Sequence, residues 1–304
     1  MKTVLVLMST YNGEKYLREQ LDSIYRQIDV DVRVLVRDDG SKDRTLEILE
    51  HYRKDKNLMY IRGENINWMH SFWTLVNMAN DCDYYAFSDQ DDIWDENKLK
   101  MAVTQIEKYG RIPVVYCADQ RIVDKNMKVL AHSEDKVDIS NYTFLDLLVH
   151  GNVFRGCTEV WNDSLQQYIL SKKVHDIDEP HDAFIMQLAL AIGKVIKDNI
   201  EVMSYRQHEK NAVGSKTGKK LIIDRIKKYF AEIFGDDKKK KIYSSRCKKI
   251  YDIVENDISE EKKFYYQKIS DYDKTIVSAI QLAFDKEFHA ISLKKRIQII
   301  LRRM

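Results

Sequence analysis

No apolar run in this chain approaches the roughly 18 residues that a membrane-spanning helix requires, so a transmembrane segment is not expected. The start, Met1-Lys2-Thr3, leads into a short apolar run with no small-residue cleavage site, and a signal peptide is not expected either. The four cysteines, Cys82, Cys117, Cys157 and Cys247, are far apart and include no C-x-x-C pair. That spacing argues against a zinc site and a disulfide framework, and points to a reducing, cytoplasmic compartment. Proline and glycine are scarce, 2 and 10 in 304 residues. The length suits one large domain, or a domain with an appendage, and can bury a sizeable core.

Charge, by contrast, is abundant and unevenly placed. Residues 1–213 hold 27 Lys+Arg and 35 Asp+Glu, a net of −8, whereas residues 214–304 hold 23 and 13, a net of +10. The split predicts a domain over 1–213 and a basic, helical C-terminal region over 214–304 with different partners. Within the first part, 3–9 (TVLVLMS) is a continuous apolar run of the kind expected for a strand buried on both faces. Helix 14–27, strand 32–37, helix 43–54, strand 58–61, helix 70–79, strand 83–87, helix 95–108 and strand 113–118 follow, with a further helix at 183–192. Such alternation predicts an α/β fold with a mostly parallel sheet and helices on both faces. Ligand sites in these sheets lie beyond the carboxyl ends of the strands. Three polar clusters fall there: Ser9-Thr10-Tyr11-Asn12, Asp38-Asp39-Gly40-Ser41 and Asp89-Gln90-Asp91-Asp92.

Three carboxylates within four residues repel one another and raise one another's pKa unless something positive sits among them. Asp89 and Asp91 in one loop can reach a single divalent cation, magnesium or manganese, of the kind that bridges to phosphate oxygens. The alternative is helix capping, with Asp92 or Asp95 at the start of helix 95–108. Capping accounts for one aspartate better than for three. Asp38-Asp39-Gly40-Ser41 likewise reads either as a turn with a cap or as part of a ligand site.

The stretches VLMSTYNGEKYLREQLDSI, VRDDGSKDRT and FSDQDDIW resemble glycosyltransferase family 2, whose members use nucleotide-sugar donors. SDQDDIW, GCT (156–158), HDAF (181–184) and YRQH (205–208) are similar to its bacterial rhamnosyltransferase-type branch, which builds surface polysaccharide. The resemblance covers about residues 1–213 and implies a GT-A-type nucleotide-diphospho-sugar transferase fold. It implies that Thr10, Tyr11, Glu14, Asp39 and Asp89 bind the donor nucleotide, with Asp39 on the pyrimidine N3–H. Asp91 would ligate the manganese or magnesium ion, with His208 near the diphosphate as a further ligand, and Asp182 would be the general base. Gly156 and Cys157 would form a floor near the donor sugar; Trp94 would either stack on the acceptor sugar or cover the sheet edge. The chain departs from the family at NINWMHSF (65–72), where Asn67 stands in place of a glycine; asparagine tolerates left-handed backbone, so the turn can survive.

Inverting sugar transfer needs one carboxylate to take the acceptor proton and a positive group for the leaving diphosphate. Asp182 can also be read as the cap of helix 183–192, and His208 as an ordinary histidine. The expected donor is a pyrimidine nucleotide-diphosphate sugar, dTDP-rhamnose before a UDP-sugar, and the acceptor a saccharide, which the resemblance implies is lipid-linked. Rival readings are a metal-dependent nucleotidyltransferase and a non-catalytic nucleotide-sugar-binding subunit. The first lacks the basic, glycine-rich phosphate loop it would need, and the second is opposed by the presence of both Asp91 and Asp182. In the basic region, Ile222, Ile226, Tyr229, Phe230 and Ile233 form one helical face, and Leu293, Ile297, Ile300 and Leu301 another. These faces suit the inner surface of the cytoplasmic membrane, a homo-oligomer contact, or packing on the core. Nucleic-acid binding is not expected, because aromatic residues are too sparse among the lysines.

Overall fold

The computed structural model describes residues 1–132, 139–149, 154–174, 178–208 and 242–301. These fall into two compact units, one made of 1–132, 154–189 and 193–208, the other of 139–149, 190–192 and 242–301.

The first unit is an α/β sandwich. Its strands are β1 (Lys2–Thr10), β2 (Val30–Asp38), β3 (Leu58–Arg62), β4 (Tyr84–Ser88), β5 (Ile93–Trp94), β6 (Val114–Val123), β7 (Val129–Ala131), β8 (Val160–Asn162) and β9 (Lys194–Arg206). They form one sheet in the order β3-β2-β1-β4-β8-β6-β9-β5, with β7 paired to β6. β3, β2, β1 and β4 are parallel, as the helix–strand alternation predicts. Beyond β4 the sheet is mixed: β8 runs antiparallel to β4 and β6, and β5 antiparallel to β9, while β6 and β9 are parallel. The three-residue β8 reaches its place from a one-turn 3₁₀ helix at Gly156–Thr158 rather than through a crossover helix, which permits the antiparallel direction.

Period-two alternation along β1 sends Val4, Val6 and Met8 into one apolar layer and leaves Leu5 and Leu7 for the opposite face. The first layer takes Leu17, Leu21 and Ile24 of α1 (Leu17–Tyr25), Ile48 and Leu49 of α2 (Thr45–Asp55), and Leu99, Val103 and Ile106 of α4 (Lys98–Glu107). On the other face Phe87 meets Phe72 of α3 (Asn67–Met78) and Trp161 of β8, which leads into α6 (Asp163–Ser171), and Trp73 meets Phe184 of α7 (His181–Ile192). α7 is apolar on nearly every side and accordingly buried. The register of β1 with its neighbours puts Thr10 beside Asp38, and Met8 beside Ser88. The polar clusters after β1, β2 and β4 therefore emerge along one edge.

In the second unit α5 (Phe144–Val149) joins α8 (Ile242–Val254), α9 (Glu260–Asp271), α10 (Ile276–Ala283) and α11 (Leu293–Ile300). The Asp146 carboxylate accepts the His289 and Ala290 amides at 3.1 Å each, and Thr143 donates to the Glu287 carbonyl at 2.6 Å. Lys262 donates to the Leu190 and Ala191 carbonyls at 3.1 and 2.6 Å. The basic unit thus also takes in two short stretches from the middle of the chain. The expected boundary at 213/214 and the face formed by Ile222, Ile226, Tyr229, Phe230 and Ile233 lie outside the described residues. Among the described residues no helix is long and apolar enough to cross a membrane.

Candidate active site

The loop after β1 is stitched to its neighbours through four consecutive backbone amides. Tyr11 N donates to Gln90 Oε1 (3.0 Å), Asn12 N to Ser41 Oγ (2.9 Å), Gly13 N to Thr45 Oγ1 (2.8 Å) and Glu14 N to Asp43 Oδ2 (3.1 Å). Glu14 in turn accepts the Arg44 amide at 3.0 Å, and Thr10 Oγ1 donates to Asp38 Oδ1 at 3.3 Å. Beside this loop Tyr11, Gly40, Lys42, Arg62, Gly63, Glu64 and Asn65 line a cavity of about 580 Å³. Asp39 lies buried close by, paired with Arg37 and accepting the Ile66 amide at 3.2 Å. Asn67 adopts φ of 67°, so the turn survives the replacement of glycine there, and its side chain accepts the Met69 amide at 3.0 Å.

The acidic loop is folded back by β5, a two-residue strand that the sequence pattern does not announce. Ile93 and Trp94 pair with Ser204 and Met203 near the end of β9. Arg206 N then donates to Asp92 Oδ1 and Arg206 Nε to the Asp91 carbonyl, both at 3.0 Å. Two residues on, His208 Nε2 lies 2.8 Å from Asp91 Oδ2, its ring stacked on Tyr16 with centroids 4.9 Å apart. Asp91 and His208 are thus brought together across 117 residues. Burial pushes the Asp89 carboxyl up to about 7, with Asp91 and Asp182 adding to the shift. Burial likewise raises Asp91, against the pull of His208, and raises Asp92 well above the usual carboxylate range, helped by Asp89 and Asp91.

These groups fit a hard divalent cation. Asp92 Oδ2 is buried without a hydrogen-bond partner among the described residues, and ligand atoms of Asp89, Asp92 and Cys157 lie within 4.8 Å of one another. Burial raises the Cys157 thiol well above its ordinary range, and Cys157 donates to Gln120 at 2.9 Å, so it is an unsuitable ligand for magnesium or manganese. The half-buried Asp91 and His208, with Asp89, offer the better oxygen–nitrogen donor set. Neither Asp92 nor Asp95 caps α4, which opens after Asn97 with no side-chain cap. Asp92 binds the Arg206 amide and Asp95 pairs with Arg121.

Asp182 is the second residue of α7, and its Oδ1 accepts the Ala183 amide at 2.7 Å. A Cβ built on Gly156 would lie 2.5 Å from Asp182 Oδ2, so the turn at 156–158 passes against this carboxylate. Gly156 is therefore beside Asp182 and Cys157 beside the acidic loop. Trp94 requires a correction. Its ring is 2% exposed and belongs to the apolar core, with the Lys98 ammonium 3.4 Å from its centroid, so it offers no face to a sugar.

Lys98 is a residue that sequence reasoning missed. It is fully buried, burial lowers its ammonium to about 7, and it donates to the Cys157 carbonyl at 2.7 Å. Its spacing gives no signal, since lysines are rarely buried. Arg206, within the YRQH stretch but given no role there, is buried over the Tyr16 ring and paired with Glu19.

Residues 5–161 match the family model for glycosyl transferase family 2. A dTDP-rhamnosyl transferase, RfbG of Shigella flexneri, is 31% identical over 237 residues, 72% of this chain and 78% of that one. Among solved structures, S. aureus TarS 1-349 in complex with UDP-GlcNAc superposes with a TM-score of 0.60 at 17% identity, covering 93% of this chain and 81% of that one. A mannosyltransferase of Pyrobaculum calidifontis in complex with GDP-Man and Mn²⁺ gives 0.54 at 13% identity, covering 98% and 85%.

Proposed function

The chain belongs to glycosyl transferase family 2, and on that footing we propose that it transfers a sugar, with inversion, from a pyrimidine nucleotide-diphosphate sugar to a saccharide hydroxyl. The observation that carries this reading is the convergence of four separate segments: the loops after β1, β2 and β4, and the start of α7 with Asp182 acting electrostatically on Asp89. The nucleoside occupies the cavity beside Tyr11, with Asp39 buried close by and Thr10 and Glu14 on the adjoining loop. Asp39 meets the base only through whatever capacity its pairing with Arg37 leaves. The diphosphate lies toward Asp89, Asp91 and His208, which would hold manganese or magnesium. That ion, when bound, supplies the positive charge that a leaving diphosphate needs.

Asp182 takes the acceptor hydroxyl's proton as the oxygen attacks the anomeric carbon and the bond to the nucleoside diphosphate breaks. The helix-bound Oδ1 fixes the carboxylate's direction, and Oδ2, against Gly156, is the atom left for the proton. With Trp94 buried, the aromatic surface for a sugar ring passes to Trp68, which is 41% exposed and edge-on to His181, the residue preceding the base. Rhamnose is the first donor sugar to try, on the strength of the Shigella relative. A lipid-linked polysaccharide acceptor at the inner face of the membrane belongs to the same reading.

The test is a screen of dTDP-, UDP- and GDP-sugars by thermal shift and donor hydrolysis with manganese or magnesium. A metal-dependent response to a dTDP- or UDP-sugar is expected. Response to nucleoside triphosphates alone would favour the nucleotidyltransferase reading.

A further inference from the structure

Gln90 stands between the two acidic residues assigned to the diphosphate end, yet its side chain turns toward the nucleoside end. Its Oε1 accepts the Tyr11 amide at 3.0 Å and its Nε2 donates to the Tyr11 carbonyl at 3.2 Å. One primary amide therefore satisfies both backbone groups of a single residue, as a neighbouring strand would. The approach also brings the amide against a second residue. A Cβ on Gly13 would lie 2.4 Å from Gln90 Oε1 and 3.0 Å from its Cδ. Gly13 does not need glycine for its backbone conformation, since its φ lies outside the left-handed region. A methyl group there would have to displace the Gln90 amide.

The remaining amides of the loop, those of Asn12, Gly13 and Glu14, are held by Ser41 and Asp43 on the loop after β2 and by Thr45 at the start of α2. Among the described residues, Gln90 makes the hydrogen bonds that tie Tyr11 to the acidic loop. We propose that Gln90 is a positioning residue that fixes the spacing between the nucleoside cavity and the diphosphate site, so that a ligand spanning both meets them in register. The inference rests on the functional reading above, which assigns the cavity to the nucleoside and the acidic loop to the diphosphate. Binding two linked groups benefits from such pre-arrangement only when both sites are engaged together. A nucleoside lacking phosphates has no stake in the spacing.

Gln90→Ala and Gly13→Ala, singly and together, are the variants to compare with the full chain. Two ligand sets are titrated: dTDP and UDP with manganese, and thymidine and uridine alone. Each single variant is expected to weaken diphosphate binding about tenfold, with nucleoside affinity within twofold of the parent, as loss of linked binding predicts. The double variant should be no weaker than Gln90→Ala, because the added methyl group then has no amide to displace. Unchanged diphosphate affinity in Gln90→Ala would overturn the proposal. So would equal losses for nucleoside and diphosphate, which indicate collapse of the loop, or losses that multiply in the double variant. A parent chain that binds neither diphosphate would overturn the functional reading itself and this proposal with it. Parent binding with an indifferent Gln90→Ala would overturn this proposal alone.

Discussion

Asp182 carries two jobs that a single substitution separates. Asn preserves its shape and its capacity to accept the Ala183 amide, but cannot take a proton. Asp182→Asn should therefore keep donor affinity and stability while turnover falls about 10²–10⁴-fold, the usual worth of a general base. Transfer within a few fold of the parent would leave Asp182 a helix-start residue only, and lost donor affinity would move it to the metal site. Its neighbour His181 makes a different prediction. The ring is buried, stacked on Phe72 at 4.1 Å and edge-on to Phe87, and burial lowers its pKa from 6.5 to about 4. The unfolded chain protonates this histidine below about pH 6.5 and the folded chain does not. Its stabilising contribution is thus complete above pH 6.5 and declines as pH falls toward 4, by about 3 kcal/mol in all. His181→Phe keeps the aromatic stack and removes the titration. Urea unfolding between pH 7 and 4 should show a shallower loss of stability in the variant than in the parent; parallel slopes would mean that His181 is protonated in the fold.

At the scale of elements, the turn at Gly156–Thr158 is the joint between the base and the interior. It is held from below by Lys98 through the Cys157 carbonyl and presses on Asp182 from above through Gly156. Gly156→Ala would put a methyl 2.5 Å from Asp182 Oδ2 and 2.7 Å from its Cβ, so the carboxylate must move. Misplacing a reacting group by about 1 Å costs on the order of 10²-fold. Turnover should fall by about that much while donor affinity stays near the parent's, read as kcat against donor Kd. The parallel half of the sheet was legible because β1 and β4 are continuous apolar runs and β2 sets valines and leucine between charged residues, each strand ending in polar residues. β9 was not: in KVIKDNIEVMSYR charged residues interrupt the pattern, and pairing with β6 and β5 makes it a 13-residue strand. β5 is too short to show any period, yet it turns Asp91 toward His208. The motifs themselves were visible, but the partners of Asp92 and the burial of Trp94 depend on long-range packing that no local spacing records.

At the scale of the whole molecule, the second unit is not simply a C-terminal tail. Because α5 from 144–149 belongs to it, cutting the chain at residue 213 would strip that helix of its partners and confuse misfolding with lost binding. Point substitutions give a cleaner test of the proposed membrane contact. On α10, Ile276, Val277 and Ile280 are exposed, and Phe284 just beyond its end is 67% exposed. At 100° per residue these four span an arc of about 100°, less than a third of the helix circumference. Such a face, in a unit rich in lysine and arginine, suits the headgroup boundary of an anionic bilayer. Embedding a large apolar side chain contributes roughly 1.5–3 kcal/mol. Ile280→Glu and Phe284→Glu should each therefore weaken co-sedimentation with phosphatidylglycerol vesicles about tenfold or more. Both side chains are already in solvent, so stability and donor hydrolysis should stay near the parent's. Vesicle binding that is unchanged in both variants, or absent in the parent, would remove this face from the membrane reading. Loss of binding accompanied by a change from dimer to monomer in sedimentation would assign the same face to a second copy of the chain.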